Sequence, residues 1–470
     1  MYNSASFEII DIIWSKFRMN DNKSLATEPV RRLLLRLAFP AITAQIVNVL
    51  YNMIDRMFIG HIEEIGAEAL TGVGVAMPVI IAITAFAALA GTGGAPRAAI
   101  MMGRGDNEEA ERILGNCFTM LIGTSIILTI IVLIFGRPIL MIFGASESTI
   151  GYAYEYLLIY CIGTIFPLIS MGMNSFISTQ GFAKIRMFTA LIGAVCNVIL
   201  DPVFIYLFDM NVKGAAIATV ISQAISAAWV IKFLTSSKSI LRIKVRNMKP
   251  DFKIMLPCVA LGMSPFIMQF TESVIIVSFN ISLLKYGGDL AVGAMTILST
   301  LMQLTMLPAQ GISYGAQPIL SYNYGARNYK RIIDTYKLLL KYTLAYTTVM
   351  WSLCMFTPQI FIPFFTSNIE LIDLTVWAVR IYMASMVIFG IQVACQQTFV
   401  ALGNAKTSIF LALLRKVILL LPLIFILPHF TDDKVFGVFL AEPIADFCAV
   451  VTTSILFSRT YKKLKKEGEE

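Results

Sequence analysis

The chain has 470 residues, 57% of them hydrophobic and only 14% charged, which is too apolar for a water-soluble domain, where about a quarter of residues carry charge. Its 37 Lys and Arg against 29 Asp and Glu do not mark a nucleic-acid binder, because the excess is confined to alternate loops between apolar runs. His61 and His429 fall in loops and the seven cysteines are scattered without a C-x-x-C pair, so metal and redox motifs are absent from the sequence and the thiols read as small buried hydrophobes.

Residues 1–32 read as a cytoplasmic tail. Ile9, Ile10, Ile13, Trp14 and Phe17 sit there among charges, as either a short helix on the inner membrane surface or a disordered segment. No cleavable signal is visible, since the first long apolar run continues as a span. A span needs about 20 apolar residues. Twelve runs qualify: 33–59, 69–95, 115–142, 153–181, 188–209, 214–236, 254–284, 290–319, 338–365, 374–402, 408–429 and 435–458. The expected fold is an all-α integral membrane protein of two six-helix bundles: an N-lobe over 33–236, a basic linker over 237–253, a C-lobe over 254–458 and a tail over 459–470.

Polar residues inside spans are costly and usually face a cavity or a partner. Span 1 carries Gln45, Asn48, Asn52 and Asp55, a stripe about 80° wide on an apolar helix. In span 4, Met171, Met173 and Asn174 are candidates to line a cavity, with packing in the core as the plainer reading for the methionines. Span 5 carries Asn197 and Asp201 on one face, before Pro202, and span 6 carries Thr219 with Gln223 a turn further in. Counted from the outer ends of their helices, Asp55, Asp201 and Thr219 all lie roughly 8–13 Å deep. Two carboxylates, an amide and a hydroxyl at one depth suit a hard cation or a proton. Without one, two carboxylates in low dielectric cannot both stay ionised.

The second half has its own acids. Span 7 carries Glu272, flanked by Gln269 and Asn280; span 10 carries Gln392 and Gln396; span 12 carries Glu442 and Asp446 a turn apart. These read as a second cation site, as a charge partner for cargo, or as structural groups. Arg380 and the pair Arg415–Lys416 lie near span ends, where snorkelling explains them.

Topology follows from the loops. The two tails and the loops after even-numbered spans hold 29 Lys and Arg, and Arg415 and Lys416 bring that side to 31; the opposite side holds four, Arg137, Lys213, Lys285 and Lys434. Both termini are therefore expected in the cytoplasm, with the protein in the inner (plasma) membrane. The halves also repeat. Gly93, Pro96, Gly103, Gly181 and Lys184 recur 222 residues later as Gly315, Pro318, Gly325, Gly403 and Lys406, and Gly214 with Ala218 recurs as Gly437 with Ala441. Six spans per half make this a parallel repeat around a central cavity, which is transporter architecture.

Specific stretches extend the argument. Span 1 reads F-P-A-I-T-A-Q and V-L-Y-N-M-I-D-R-M-F-I-G, and M-G-R-G-D-N-E-E-A follows span 2. Span 5 has N-V-I-L-D-P, span 6 G-A-A-I-A-T, the end of span 8 Q-P-I-L-S-Y-N-Y-G-A, span 10 Q-Q-T-F-V-A-L-G and span 12 A-E-P-I-A-D. In this order and spacing the chain resembles the multidrug and toxic compound extrusion (MATE) family from span 1 to span 12. The resemblance implies a two-lobed antiporter, not an enzyme, that expels amphiphilic drugs or natural products while admitting H⁺ or Na⁺, without a cofactor or a nucleic-acid partner and as a monomer in the bilayer. It also implies an N-lobe cation site at Asp55, Asn197, Asp201 and Thr219, with the Ala215 backbone near. In some relatives a second site uses acids in spans 7 and 10. Glu272 would answer to the first, at a spacing from Pro265 that departs from the pattern; span 10 has Gln396 and Gln397 but no acid.

The alternatives differ in the chemistry they need. A flippase or exporter of lipid-linked intermediates requires cavity cations to hold pyrophosphate, whereas the mid-span charges read here as mainly acidic. A membrane enzyme would need a nucleophile or metal motif, and no H-E-x-x-H or nucleophile elbow occurs.

Overall fold

The computed structural model describes residues 23–62, 65–143, 145–147, 149–366 and 368–469, and all regular structure among them is helical. The surface helix considered for residues 7–17 lies outside the described residues. Eight helices and two bent helix pairs are long and apolar enough to cross a bilayer. One of the eight, Phe252–Gly325, has 74 residues, about 110 Å of helix against roughly 30 Å of hydrocarbon. It turns back at Gly288, where φ of 65° and ψ of −164° break the helix, and so supplies spans 7 and 8. The less apolar Tyr329–Phe356 supplies span 9. Among the described residues the total is twelve spans in two bundles.

Several helices outrun their apolar cores. Spans 2, 8 and 12 are expected to stop at 95, 319 and 458, but run to Gly103, Gly325 and Glu469, and span 9 starts at Tyr329, nine residues before the expected 338. Backbone hydrogen bonds carry a helix past the membrane surface, where apolarity has already stopped. Residues 459–469, read as a tail, are thus the end of the last helix. Spans 4 and 10 bend by 57° and 51°, near Gly163 and Met383.

The repeat is visible in the caps. Gly181 and Gly403 end spans 4 and 10 with φ of 88° and 76°, the left-handed position that glycine fills without a Cβ clash. Asp106 and Asn328, again 222 apart, cap spans 3 and 9 by accepting from Glu109 N and Arg331 N.

The lobes meet on the side that carries both described chain ends and the linker, called inner below. There Gly103 of span 2 lies on Tyr322 of span 8, and Gly325 of span 8 lies on Ile100 of span 2, a reciprocal pair three residues apart on each helix. Gly262 of span 7 fits against Ala88 and Leu89, and Gly315 of span 8 against Ala38 of span 1. Small residues let backbones touch, which is how helices associate without a hydrophobic drive. At mid-membrane the Phe86 and Phe266 rings meet edge to face, centroids 4.9 Å apart. The inner end of span 1 and the short helix Lys23–Thr27 before it are also tied to the C-lobe: Leu25, Leu33, Leu34 and Leu37 share a core with Ile319, Leu320 and Leu339, and the Leu25 carbonyl accepts from Asn323 and Arg331. Toward the outer side, spans 1 and 7 expose Met53, Met57, Phe270 and Ile281.

The segment between the lobes is not a loose tether. Gln180, at the end of span 4, accepts on one oxygen from Ser239 Oγ, Ile240 N and Leu241 N at 2.8–3.0 Å. Glu111 accepts from Arg242 N and pairs with Lys244, while Asn116 and Thr119 bind Asn247, Met248 and Asp251. Residues 236–251 are therefore strapped to the N-lobe. Gln180→Leu would leave the buried Leu241 N–H and the half-buried Ile240 N–H unpaired and cost about 2 kcal/mol. We expect a lower thermal midpoint for the detergent-purified variant; an unchanged midpoint would show that the strap is ornamental.

Candidate functional site

Four side chains from three spans converge in the N-lobe. Asp55 is 2% exposed, Asn197 1%, Asp201 0% and Thr219 5%. Span 1 is one continuous helix, Val30–Gly60, so Asp55 keeps the depth expected of it. Span 5 is α-helical over Ala183–Pro202 and π-helical over Val203–Leu207, a widening that follows the backbone bond Pro202 cannot make. One turn before the proline, Asn197 and Asp201 share a face, and the Asn197 amide donates to Asp201 Oδ1 at 2.9 Å and to Thr219 Oγ1 at 3.4 Å. The Asp55 and Asp201 carboxyls lie near each other in the buried cluster, where two bare anions would repel strongly. Asp55 Oδ1, Asn197 Oδ1 and Asp201 Oδ2 are buried oxygens without a hydrogen-bond partner among the described residues. Three idle acceptors around two neighbouring carboxyls fit a shared proton or a hard monovalent cation.

Two tyrosines close this site that sequence reading did not single out. Tyr51 lies one turn from Asp55 on span 1, and Tyr156 of span 4 is buried near Thr219. Tyr51 was discoverable from its spacing; nothing in the sequence singles out Tyr156. Ala215 is fully buried one turn before Thr219. The rest of the span 1 stripe does not enter: Gln45 and Asn52 are half-buried and Asn48 is exposed, with the Asn52 amide donating to the Asn48 carbonyl at 2.6 Å.

The C-lobe differs from expectation. Arg415 and Lys416 do not snorkel. They sit in a π-helical stretch, Leu414–Leu420, at the middle of span 11, and each is 6% exposed. Lys416 is 11 residues from Ala405 and 13 from His429, the ends of that span, or about 17 Å and about 20 Å from them, beyond a lysine's reach. Arg415 binds Asp446 at 2.6 Å and Glu442 at 3.1 Å, and its guanidinium lies 4.4 Å over the Phe389 ring. Lys416 binds Glu272 at 2.9 Å, and Ser385 donates to Asp446 at 3.1 Å. Without these two residues the inner-side charge count is 29 rather than 31, still against four.

The remaining candidates separate. The Glu272 side chain is 52% exposed; a carboxylate at that depth faces a cavity rather than lipid, and Gln269 beside it is half-buried. Asn280 and Asn174 are half-buried, and Asn174 Oδ1 is unpaired among the described residues. Gln392 is buried, and Gln396 donates to Ser264 and Ser408, which reads as structural. Met173 is fully buried in the N-lobe core and lines nothing, whereas Met171 is exposed.

Comparison with known proteins agrees with this architecture. The family model described as MatE matches residues 40–203 and 265–426, one stretch in each lobe. A multidrug export protein MepA of Staphylococcus haemolyticus is 23% identical over 430 residues, 91% of this chain and 94% of that protein. The MepA of Staphylococcus aureus strain N315 is likewise 23% identical, over 92% and 95%. Among solved structures, the MATE multidrug transporter DinF-BH is 33% identical, with a TM-score of 0.86 over 92% of this chain and 96% of that one. The outward-facing conformation of a multidrug resistance MATE family transporter gives a TM-score of 0.87 over 96% and 100% at 21% identity.

Proposed function

The chain belongs to the MatE family of multidrug exporters, transporters rather than enzymes, and from that premise we propose that it exports amphiphilic, often cationic, small molecules in exchange for H⁺ or Na⁺ by alternating access. The observation that carries the reading is the N-lobe cluster of Asp55, Asn197, Asp201 and Thr219, with its neighbouring carboxyls and unpaired oxygens. With the cavity open outward, the cluster takes up a cation from the medium. Neutralised, it lets span 1 repack against spans 5 and 6, narrowing the cavity and displacing cargo. The lobe then opens inward, where lower cation activity or higher pH releases the ion. A ligand shifts such an equilibrium only by its differential affinity for the two states, so cargo and cation must favour opposite ones. The closed inner seam of glycines suits the state that awaits a cation. A lipid-linked cargo is disfavoured, because Arg415 and Lys416, the mid-span cations that a pyrophosphate would need, are buried and already bound to carboxylates.

The test is export of candidate dyes from proteoliposomes under Na⁺ and H⁺ gradients imposed separately. Drug efflux driven by neither gradient would end the antiport reading. Orientation is checked independently. With both termini in the cytoplasm, cysteines placed beside His61, Ser146, Asp289 and Asp432 should label from outside the cell, and those beside Lys238 and Asn328 should not. External labelling of the Lys238 loop would reverse the topology.

A further inference from the structure

The internal repeat allows the two lobes to be compared position by position. Pro40 matches Pro265, an offset of 225, which places Asn280 opposite Asp55. Lys184 matches Lys406 at 222 and Gly214 matches Gly437 at 223, so the counterparts of Asn197 and Asp201 fall at Leu419 or Leu420 and at Leu423 or Ile424, all apolar. At the offset of 223, Thr219 and Gln223 become Glu442 and Asp446. The polarity has changed places. In the N-lobe, span 5 brings the acid and span 6 a hydroxyl and an amide. In the C-lobe, span 12 brings two acids and span 11 answers with Arg415 and Lys416.

Charge balance then separates the two basic residues. Arg415 is fully engaged, bound to Asp446 and Glu442 and covered by Phe389. Lys416 neutralises Glu272, the acid that opens onto the cavity, from the buried side. The cluster holds three carboxylates against two cations, and Glu442 Oε2 is its buried oxygen without a partner among the described residues. In an α-helix neighbours point 100° apart; the π-helical turn of Leu414–Leu420 brings both 415 and 416 inward.

We propose that the Lys416 ammonium is a resident cation: it fills, by a covalent tether, the place in the C-lobe where a free monovalent cation would otherwise bind at Glu272. The C-lobe is thereby closed to Na⁺, and ion exchange is left to the N-lobe. Removing the tethered charge should expose a latent Na⁺ site, because an unpaired Glu272 is costly until a cation arrives. Lys416 is thus a selectivity residue. The proposal relies on the antiport reading only in assigning exchange to the N-lobe, and its test removes that dependence.

The experiment measures equilibrium binding of radioactive Na⁺ to the full-length purified protein in an Asp55→Asn, Asp201→Asn background, where the N-lobe cluster cannot hold the ion. With Lys416 present, no saturable Na⁺ binding is expected, and Lys416→Arg should behave the same way. Lys416→Met should gain a single saturable Na⁺ per chain, lost again when Glu272→Gln is added. Lys416→Met with Glu442→Gln, which restores the original charge excess, should also gain it and guards against misfolding of the first variant. Na⁺ binding with Lys416 in place overturns the proposal, as does its absence from both folded Lys416→Met variants. Recovery of those two only as misfolded protein would make Lys416 a structural strut and overturn it as well. Because transport is never measured, failure here leaves the antiport reading standing, and failure of antiport leaves this result intact.

Discussion

Asp55→Asn and Asp201→Asn should each insert and fold yet lose gradient-driven export, falling to the level of passive leak. Each change removes one of two neighbouring carboxyls in a buried cluster and leaves an amide that mimics the neutralised state without ever releasing a cation. Thr219→Ala should be milder. Its hydroxyl accepts from Asn197, and a single hydrogen bond beside charged groups is worth about 1.5 kcal/mol, so apparent ion affinity should fall about tenfold with turnover at saturating ion nearly kept. The measurement is export against Na⁺ at fixed pH, then against pH without Na⁺, for each variant. Wild-type export by both aspartate variants would move the coupling site elsewhere, with Glu272 next in line.

Gly103→Val and Gly325→Val should trap the transporter with its inner seam open. A Cβ at Gly103 would strike the Tyr322 carbonyl, and one at Gly325 would sit 2.8 Å from the Ile100 carbonyl carbon; neither backbone can retreat within a packed helix. The lobes must part there, abolishing export. Cys258, fully buried with its backbone against Gly93 of span 2, reports the change: in inside-out vesicles an impermeant maleimide should label it at least about tenfold faster, the kinetic equivalent of a population shift of about 1.4 kcal/mol. Gly123→Val is the control, since a Cβ there meets nothing within 4 Å. Unchanged labelling and export in both seam variants would mean that the glycines are not where the lobes close.

What could be read from the sequence depended on helix regularity. Asp55, Asn197, Asp201 and Thr219 group together when residues are counted down from span ends, and the count works because the helices between those ends and the site are nearly continuous. The repeat places the caps and the seam glycines for the same reason, constant spacing. Arg415 and Lys416 escape such a reading because a charge tally assigns any basic residue near an apolar boundary to a loop, and the apolar run of span 11 begins later than its helix. A π-helical turn then aims two consecutive residues inward, which a period of 3.6 does not anticipate. The exposure of Asn48 is equally hidden: it lies on one stripe with Asp55, but only Asp55 is buried.

The inner seam has a mechanical meaning. Backbones that touch at Gly103, Gly325 and Gly315 form a fulcrum at one end of helices that cross a membrane about 30 Å thick, so a tilt of about 10° there carries the far ends apart by about 5 Å. The bundles act as lever arms whose short side is the width of a glycine. In the proposed alternating access, displacements at the pivot too small to disturb the packing of either lobe would be multiplied into a gap wide enough to pass a flat aromatic molecule, which would place the strictest demand on side-chain size farthest from the mouth it controls.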